Sequence, residues 1–188
     1  MKNILFIFFL VCWTCMNAQY DKATIQFVNN TSKEGFVKIR SYEGVKFKET
    51  EDGEVVVYNQ NQIIGFDIDG VKYRYVITNN NDIPPILREV IKGKASLYAT
   101  DMSAGSSSMS FGPGSNLAPL QFQHESRTVY HLLIDNRLYD VGTKLKKRHL
   151  KKLNDCPELI SQIEKGLQSP KNVVMTIEFY NEQCGSQP

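Results

Sequence analysis

The sequence lacks the features that most often reveal a biochemical function. Its formal net charge is only +2, so no global attraction to nucleic acid or to an anionic membrane is expected. It contains no H-E-x-x-H zinc motif, no G-x-S-x-G nucleophile motif and no phosphate-binding loop. We therefore predict no catalytic residue, no metal, no cofactor and no nucleic-acid partner, and we favour a non-enzymatic role.

Long apolar runs are also missing after the first residues. Lys2 precedes an apolar run over Ile4–Trp13, and the small residue Ala18 follows. This is the three-part pattern of a secretory signal peptide, and the run is too short for a stable bilayer anchor. We predict that residues 1–18 are removed and that 19–188 form a single exported α+β domain without a transmembrane span. A retained anchor is the alternative.

Cysteine is scarce. Cys12 and Cys15 lie in the signal peptide, where lipidation is an alternative, so the mature chain keeps only Cys156 and Cys184. In an oxidising compartment two cysteines predict one disulfide. The alternative is two free thiols or a redox pair, although catalytic dithiols usually lie closer together, as in C-x-x-C.

Composition divides the mature chain into a β unit, a mixed segment and a helical region: 19–78, 79–142 and 143–188. Short apolar and β-branched runs separated by turn residues predict strands in the β unit. These runs are Thr24–Val28, Phe36–Ile39, Val45–Phe47, Val55–Tyr58, Ile63–Ile68 and Val71–Ile77. Asp52-Gly53 and Asp69-Gly70 suit the positive φ values of two-residue hairpin turns. We expect a small, twisted antiparallel sheet or a half-open barrel.

The mixed segment is more ambiguous. Apolar residues repeat every four positions over 83–92, which predicts a short helix, whereas two strands around Lys92-Gly93 are the alternative. Two further strands are predicted at Lys94–Asp101 and Thr128–Val141, the second interrupted by a tight turn at Asp135-Asn136.

A Ser- and Gly-rich stretch spans 103–119. It buries too little apolar surface to offset its ordering entropy, so we predict a mobile loop. Loops of this kind often bind partners. The candidate ligand or partner residues are Ser106, Met109, Phe111 and Asn116; the alternative is a tolerated insertion.

Helix signals dominate the last region. We predict a first helix over 144–154, a second capped by Asp155 and a third capped by Ser169. A short turn would make the last two helices antiparallel. Cys156 would then lie beside Cys184, and a disulfide would close the helical hairpin.

A basic segment, residues 144–152, has six Lys and Arg among its nine residues. We predict a possible anion-binding face for a lipid headgroup, a glycan or an acidic envelope partner, which would give peripheral envelope association. Its residues are Lys144, Lys147, Arg148 and Lys151. The alternative is a solvated helix face, balanced by nearby acidic residues.

The chain has three histidines, His124, His131 and His149. His124 and His131 are seven positions apart, which puts them on opposite faces of a strand and argues against a shared metal. A hydrolase-like enzyme with an unrecognised site is the main rival to a binding protein. A pocket that holds His124 or His131 beside Asp or Glu would favour it.

Four stretches carry a resemblance: TIQFVNNTSKEGFVKI, GKASLY, LKKLNDCPELISQIEKG and NVVMTIEFYNEQC. The chain resembles uncharacterised exported proteins of Bacteroidetes, chiefly flavobacteria. These have a β-rich opening, a G-K-x-S-L-Y segment, a variable Gly/Ser-rich stretch and a D-C-P-x-L … Y-N-x-C helical region, where this chain reads Y-N-E-Q-C. The resemblance implies export to the periplasm or cell surface and this order of elements, but no activity. We therefore expect a binding or interaction module of the cell envelope.

Overall fold

A computed structural model describes residues 20–40, 44–79, 84–102, 106–109, 120–123 and 127–185. The predicted signal peptide and three of the singled-out residues lie outside these ranges: Phe111, Asn116 and His124. The chain divides into two compact units, Met1–Gly70 and Val71–Pro188, which we call unit 1 and unit 2.

Unit 1 is an antiparallel sheet of five strands. They are β1 (Asp21–Phe27), β2 (Ser32–Arg40), β3 (Gly44–Lys48), β4 (Val56–Tyr58) and β5 (Ile63–Ile68), in the order β5-β1-β2-β3-β4. Apolar residues alternate along most of these strands and bury one side, as at Ile25, Val37 and Phe47, whereas Val56 and Val57 of β4 are exposed. The predicted strands of unit 1 are therefore confirmed. The expected two-residue turn at Asp52-Gly53 is wrong, because residues 49–55 form a longer connection and neither residue has a positive φ.

Unit 2 contains a second antiparallel set of five strands, in the order β12-β11-β8-β7-β6. These are β6 (Val71–Tyr75), β7 (Ile86–Ile91), β8 (Ser96–Met102), β11 (Arg127–Ile134) and β12 (Arg137–Gly142). Two more strands, β9 (Ser106–Met109) and β10 (Leu120–Gln123), pair with each other. The mostly antiparallel fold is confirmed, but the expectation of a small sheet is wrong: ten sheet strands form, five in each unit.

Strand β7 replaces the helix predicted over 83–92. It pairs with β6 through Arg88 and with β8 through Glu89, and its β-branched Val90 and Ile91 pack against the core of unit 2. An apolar residue at every fourth position fits a strand as well as a helix, so pairing on both sides decides the outcome. The strand alternative is confirmed.

The predicted tight turn at Asp135-Asn136 is confirmed, because both residues have positive φ, 50° and 56°. Asp69 and Gly70 likewise have positive φ, 48° and 80°. Asp, Asn and Gly tolerate this region better than other residues, so these dipeptides fix the local backbone.

Three helices follow: α1 (Lys147–Leu150), α2 (Pro157–Glu164) and α3 (Val173–Cys184). The first is much shorter than predicted. The N-cap of α2 is Cys156 rather than Asp155, whose carboxylate accepts hydrogen bonds from Tyr180 instead. Gly166 has a φ of 72°, as expected just after the end of α2.

Helix α3 begins later than predicted. Asn172 is its N-cap, and its side chain accepts a hydrogen bond from the Met175 N–H at 3.2 Å, so the cap predicted at Ser169 is wrong. The connection between α2 and α3 therefore covers residues 165–172 and is longer than the predicted turn.

The helices cover one face of the unit 2 sheet. Leu97 and Leu132 of the sheet and Leu159, Ile177 and Tyr180 of the helices are fully buried together. The predicted disulfide is confirmed: Cys156 and Cys184 are joined, with their Cα atoms 5.7 Å apart. Among the described residues, no helix has the length and apolar character needed to cross a bilayer.

Candidate anion-binding site

Three residues from separate sequence motifs, Lys94, Asp155 and Tyr180, form one cluster near β8, α2 and α3. The Lys94 ammonium lies 2.8 Å from Asp155 Oδ2, and the Tyr180 hydroxyl donates to the same carboxylate at 2.9 Å. Burial opposes ionisation of Asp155, but the hydrogen bonds from Lys94 and Tyr180 together outweigh it and hold the pKa of Asp155 below its ordinary value. These polar groups satisfy one another, so we interpret the cluster as structural.

The basic segment exposes its cations to solvent. Leu145, His149 and Leu153 are buried, whereas the four residues predicted as an anion-binding face are exposed: Lys144, Lys147, Arg148 and Lys151. The expected inner and outer faces of the segment are therefore present, although α1 itself is short.

The cations of the basic segment form no ion pair with the described residues. Within the described ranges, no carboxylate lies within 4.0 Å of a Lys or Arg of this segment. Asp155, which could have balanced them, pairs with Lys94 instead.

A concave surface lies between the basic segment and β12, which is an edge strand of the sheet. Its volume is about 340 Å³, and we call it the basic depression. It is lined by Leu138, Tyr139, Asp140, Arg148, His149 and Lys152. The Lys152 ammonium lies 5.5 Å from the centroid of the Tyr139 ring, a distance typical of a cation–π contact. Two cations, one carboxylate and an aromatic ring therefore surround a site large enough for a small polar group.

His149 forms the buried wall of this depression and is 3% exposed. Its Nδ1 lies 3.1 Å from the Lys146 backbone nitrogen, and its Nε2 lies 2.9 Å from Arg148 Nε. Burial lowers the pKa of His149, and the charges of Arg148 and Lys146 lower it further. We therefore treat the imidazole as neutral near pH 7.

This lowered pKa predicts a pH-dependent stability. The pKa of His149 is lower in the folded chain than its ordinary value of 6.5 in the unfolded chain, so between these two values the unfolded chain binds more protons. The neutral His149 therefore contributes its full stability above pH 6.5, and this contribution is lost as the pH falls through the folded pKa. The charged groups facing the ring are Lys146 and Arg148, with Asp140 and Lys152 across the depression. Urea unfolding at about pH 7.5 and 5.5 should show a larger acid loss for the wild type than for His149→Asn. Equal losses would contradict the prediction.

Three neighbouring strands carry a polar relay that the sequence did not predict. Thr100 Oγ1 lies 3.0 Å from His131 Nε2, and Asp140 Oδ1 lies 2.8 Å from His131 Nδ1. The order hydroxyl, imidazole, carboxylate resembles a hydrolytic triad. It places His131 beside Asp140, as expected for the hydrolase alternative, but His131 does not line the basic depression. However, Thr100 is exposed and the Asp140 side chain is 85% exposed, whereas such catalysis depends on a site that excludes water. We interpret the relay as cross-strand pairing on the sheet surface.

The predicted partner loop is described only in part. Ser106 and Met109 lie at the two ends of β9, paired with Gln123 and Leu120 of β10. Phe111 and Asn116 lie outside the described ranges, so the four residues stay a prediction as a group.

Fold and site together describe an antiparallel β protein with a disulfide-closed helical region and an exposed basic depression. Comparison of the chain with protein-family models, with curated proteins and with solved structures gives no match.

Proposed function

We propose that this protein is an exported, non-enzymatic binding module of the cell envelope, and that it binds an anionic group in the basic depression. The observation that carries the proposal is the concave surface with Arg148 and Lys152 at its edge, where neither cation is ion-paired among the described residues. Asp140 also lines this surface, where its carboxylate lies 2.8 Å from His131 Nδ1, and the two cations outnumber this one carboxylate. The balance of charge in the depression favours an anion.

An anionic lipid headgroup is the ligand that the surroundings favour. Lys144, Lys147 and Lys151 are exposed on the same segment as the depression and extend the positive charge around it. Each basic residue close to an anionic surface contributes about 1 kcal/mol of attraction. A bound headgroup and this ring of cations would together hold the module on a membrane surface, without a membrane-spanning segment.

Export is supported by two independent features. The N-terminal residues have the pattern of a signal peptide. The disulfide is typical of proteins that fold in an oxidising compartment. Together with the resemblance to exported Bacteroidetes proteins, these features favour the periplasm or the cell surface.

The proposal predicts salt-sensitive binding to anionic vesicles. In a co-sedimentation assay, the chain should bind vesicles that contain phosphatidylglycerol and not pure phosphatidylcholine, and binding should weaken as salt rises. Arg148→Ala/Lys152→Ala should lower the affinity about thirtyfold, because two cations are lost and each contributes about 1 kcal/mol.

The matched control is Lys165→Ala/Lys171→Ala, which removes the same charge from exposed positions between α2 and α3. It should bind nearly as well as the wild type. Equal losses of affinity in the two double variants would mean that only net charge matters and not the basic depression. Binding that does not change with ionic strength would contradict the proposal.

A further inference from the structure

The environment of His149 points to the chemistry of the ligand. Both ring nitrogens face hydrogen-bond donors: the Lys146 N–H at Nδ1 and the Arg148 Nε–H at Nε2. A neutral imidazole has one lone pair and one N–H, and a protonated imidazole has no lone pair. Because guanidinium and amide groups keep their protons, the ring can accept only one of these two hydrogen bonds.

The lone pair of the His149 ring accepts its hydrogen bond from the Lys146 backbone N–H rather than from Arg148. The Lys146 N–H is held in place at the start of α1, whereas the Arg148 side chain is exposed and can turn toward water. A partly buried amide without an acceptor loses the hydrogen bond that it makes with water in the unfolded chain. We therefore assign the acceptor role to Nδ1 and place the proton on Nε2.

This tautomer leaves the Nε2–H of His149, a residue that is 3% exposed, without an acceptor among the described residues. In the position that the structure gives the Arg148 side chain, its Nε–H faces this Nε2–H across 2.9 Å. Two facing donors repel, and a single oxygen atom that accepted from both would remove the conflict. Lys152 lines the same depression and offers a third donor.

We infer that the basic depression is built for a phosphoryl or sulfuryl group, which accepts hydrogen bonds from His149 Nε2–H and the Arg148 guanidinium while Lys152 supplies a further positive charge. A tetrahedral oxyanion has enough terminal oxygens for three separate donors, whereas a carboxylate has two. Planar guanidinium groups also match phosphate and sulfate well. This inference rests on the proposed function, that the depression binds an anion.

Two substitutions of His149 separate the two edges of the ring. His149→Asn keeps an oxygen near the position of Nδ1, where it can accept from the Lys146 N–H, and removes the donor at Nε2. His149→Gln places an amide N–H₂ near the position of Nε2 and so keeps that donor. Thermal melts of both variants at about pH 7.5 check that each is folded.

The probes are inorganic phosphate, followed by ³¹P NMR and calorimetry, and vesicles that contain phosphatidic acid, whose headgroup is a phosphate monoester. We expect His149→Asn to weaken binding about five- to tenfold and His149→Gln to stay within about threefold of the wild type. Binding of free phosphate identifies a soluble phosphoryl ligand, and binding of vesicles alone identifies a lipid headgroup; both outcomes support the inference.

Wild-type affinity in folded His149→Asn, with loss in Arg148→Ala/Lys152→Ala, would overturn the role of His149 and leave the proposed anion site intact. Wild-type affinity in the double variant as well would overturn both. The two proposals therefore fail in distinguishable ways.

Discussion

Replacing Cys156 and Cys184 together by alanine should lower the free energy of unfolding by about 3–4 kcal/mol. The disulfide closes a loop with a sequence separation of 28, and its removal frees this loop in the unfolded chain. Both cysteines are buried, at 0% and 1% exposure, so alanine also leaves unfilled space between α2 and α3. Urea unfolding monitored by circular dichroism measures the loss.

Reductant provides the matched control. It should destabilise the wild type by a similar amount and leave the double alanine variant unchanged, because that variant has no disulfide to reduce. Limited proteolysis locates the effect, and we expect the first new cleavages in the 165–172 connection between α2 and α3. Equal protease resistance of the wild type with and without reductant would rule out a stabilising role for the disulfide.

Local signals predicted the features that depend on a few neighbouring residues. The Asp135-Asn136 dipeptide predicted a turn with two positive φ values, because the backbone preference of these residues is intrinsic. Most strands of unit 1 followed from alternating apolar residues, since one side of β1, β2 and β3 is buried. The disulfide followed from cysteine counting, as residues 19–188 contain two cysteines and so offer one pairing.

Tertiary contacts overrode the sequence where two local outcomes were equally acceptable. Asp155 and Ser169 are both good N-cap residues, yet neither caps a helix. The Asp155 carboxylate is engaged by Lys94 and Tyr180, and the Ser169 carbonyl accepts from the Thr176 hydroxyl at 3.2 Å. The partners lie 61 and 25 positions from Asp155 in the sequence, so no local pattern reveals them.

The candidate site was predictable in charge but not in shape. The run of Lys and Arg predicted an anion-binding face, and Arg148 does line the basic depression. Tyr139 and Lys152 were missed, because the concave surface exists only where β12 and the basic segment meet. His149 carried one signal: a histidine on the inner, otherwise leucine-rich side of a basic segment has its polar nitrogens where they need partners.

The second large effect concerns Asn181, whose side chain clamps the start of β8. Its Oδ1 accepts from the Ala95 N–H at 2.9 Å, and its Nδ2 donates to the Ala95 carbonyl at 2.8 Å. Asn181→Ala removes both hydrogen bonds and leaves the two backbone groups of a fully buried residue without their partner. We expect a loss of about 2–3 kcal/mol in the free energy of unfolding.

Gly93 makes room for this clamp, and a double-mutant cycle tests the connection. A Cβ atom at Gly93 would lie 2.6 Å from Asn181 Cγ and Nδ2, so Gly93→Ala must displace the amide and should cost nearly as much as Asn181→Ala. Once Asn181 is alanine the space is clear, and Gly93→Ala should add little; Lys92→Ala, at an exposed neighbouring position, is the control. Urea unfolding of the wild type, the two single variants and the Gly93→Ala/Asn181→Ala double variant gives the coupling energy. If the two single losses simply add, Gly93 is required for a reason other than Asn181, and the glycine of the G-K-x-S-L-Y segment needs a different explanation.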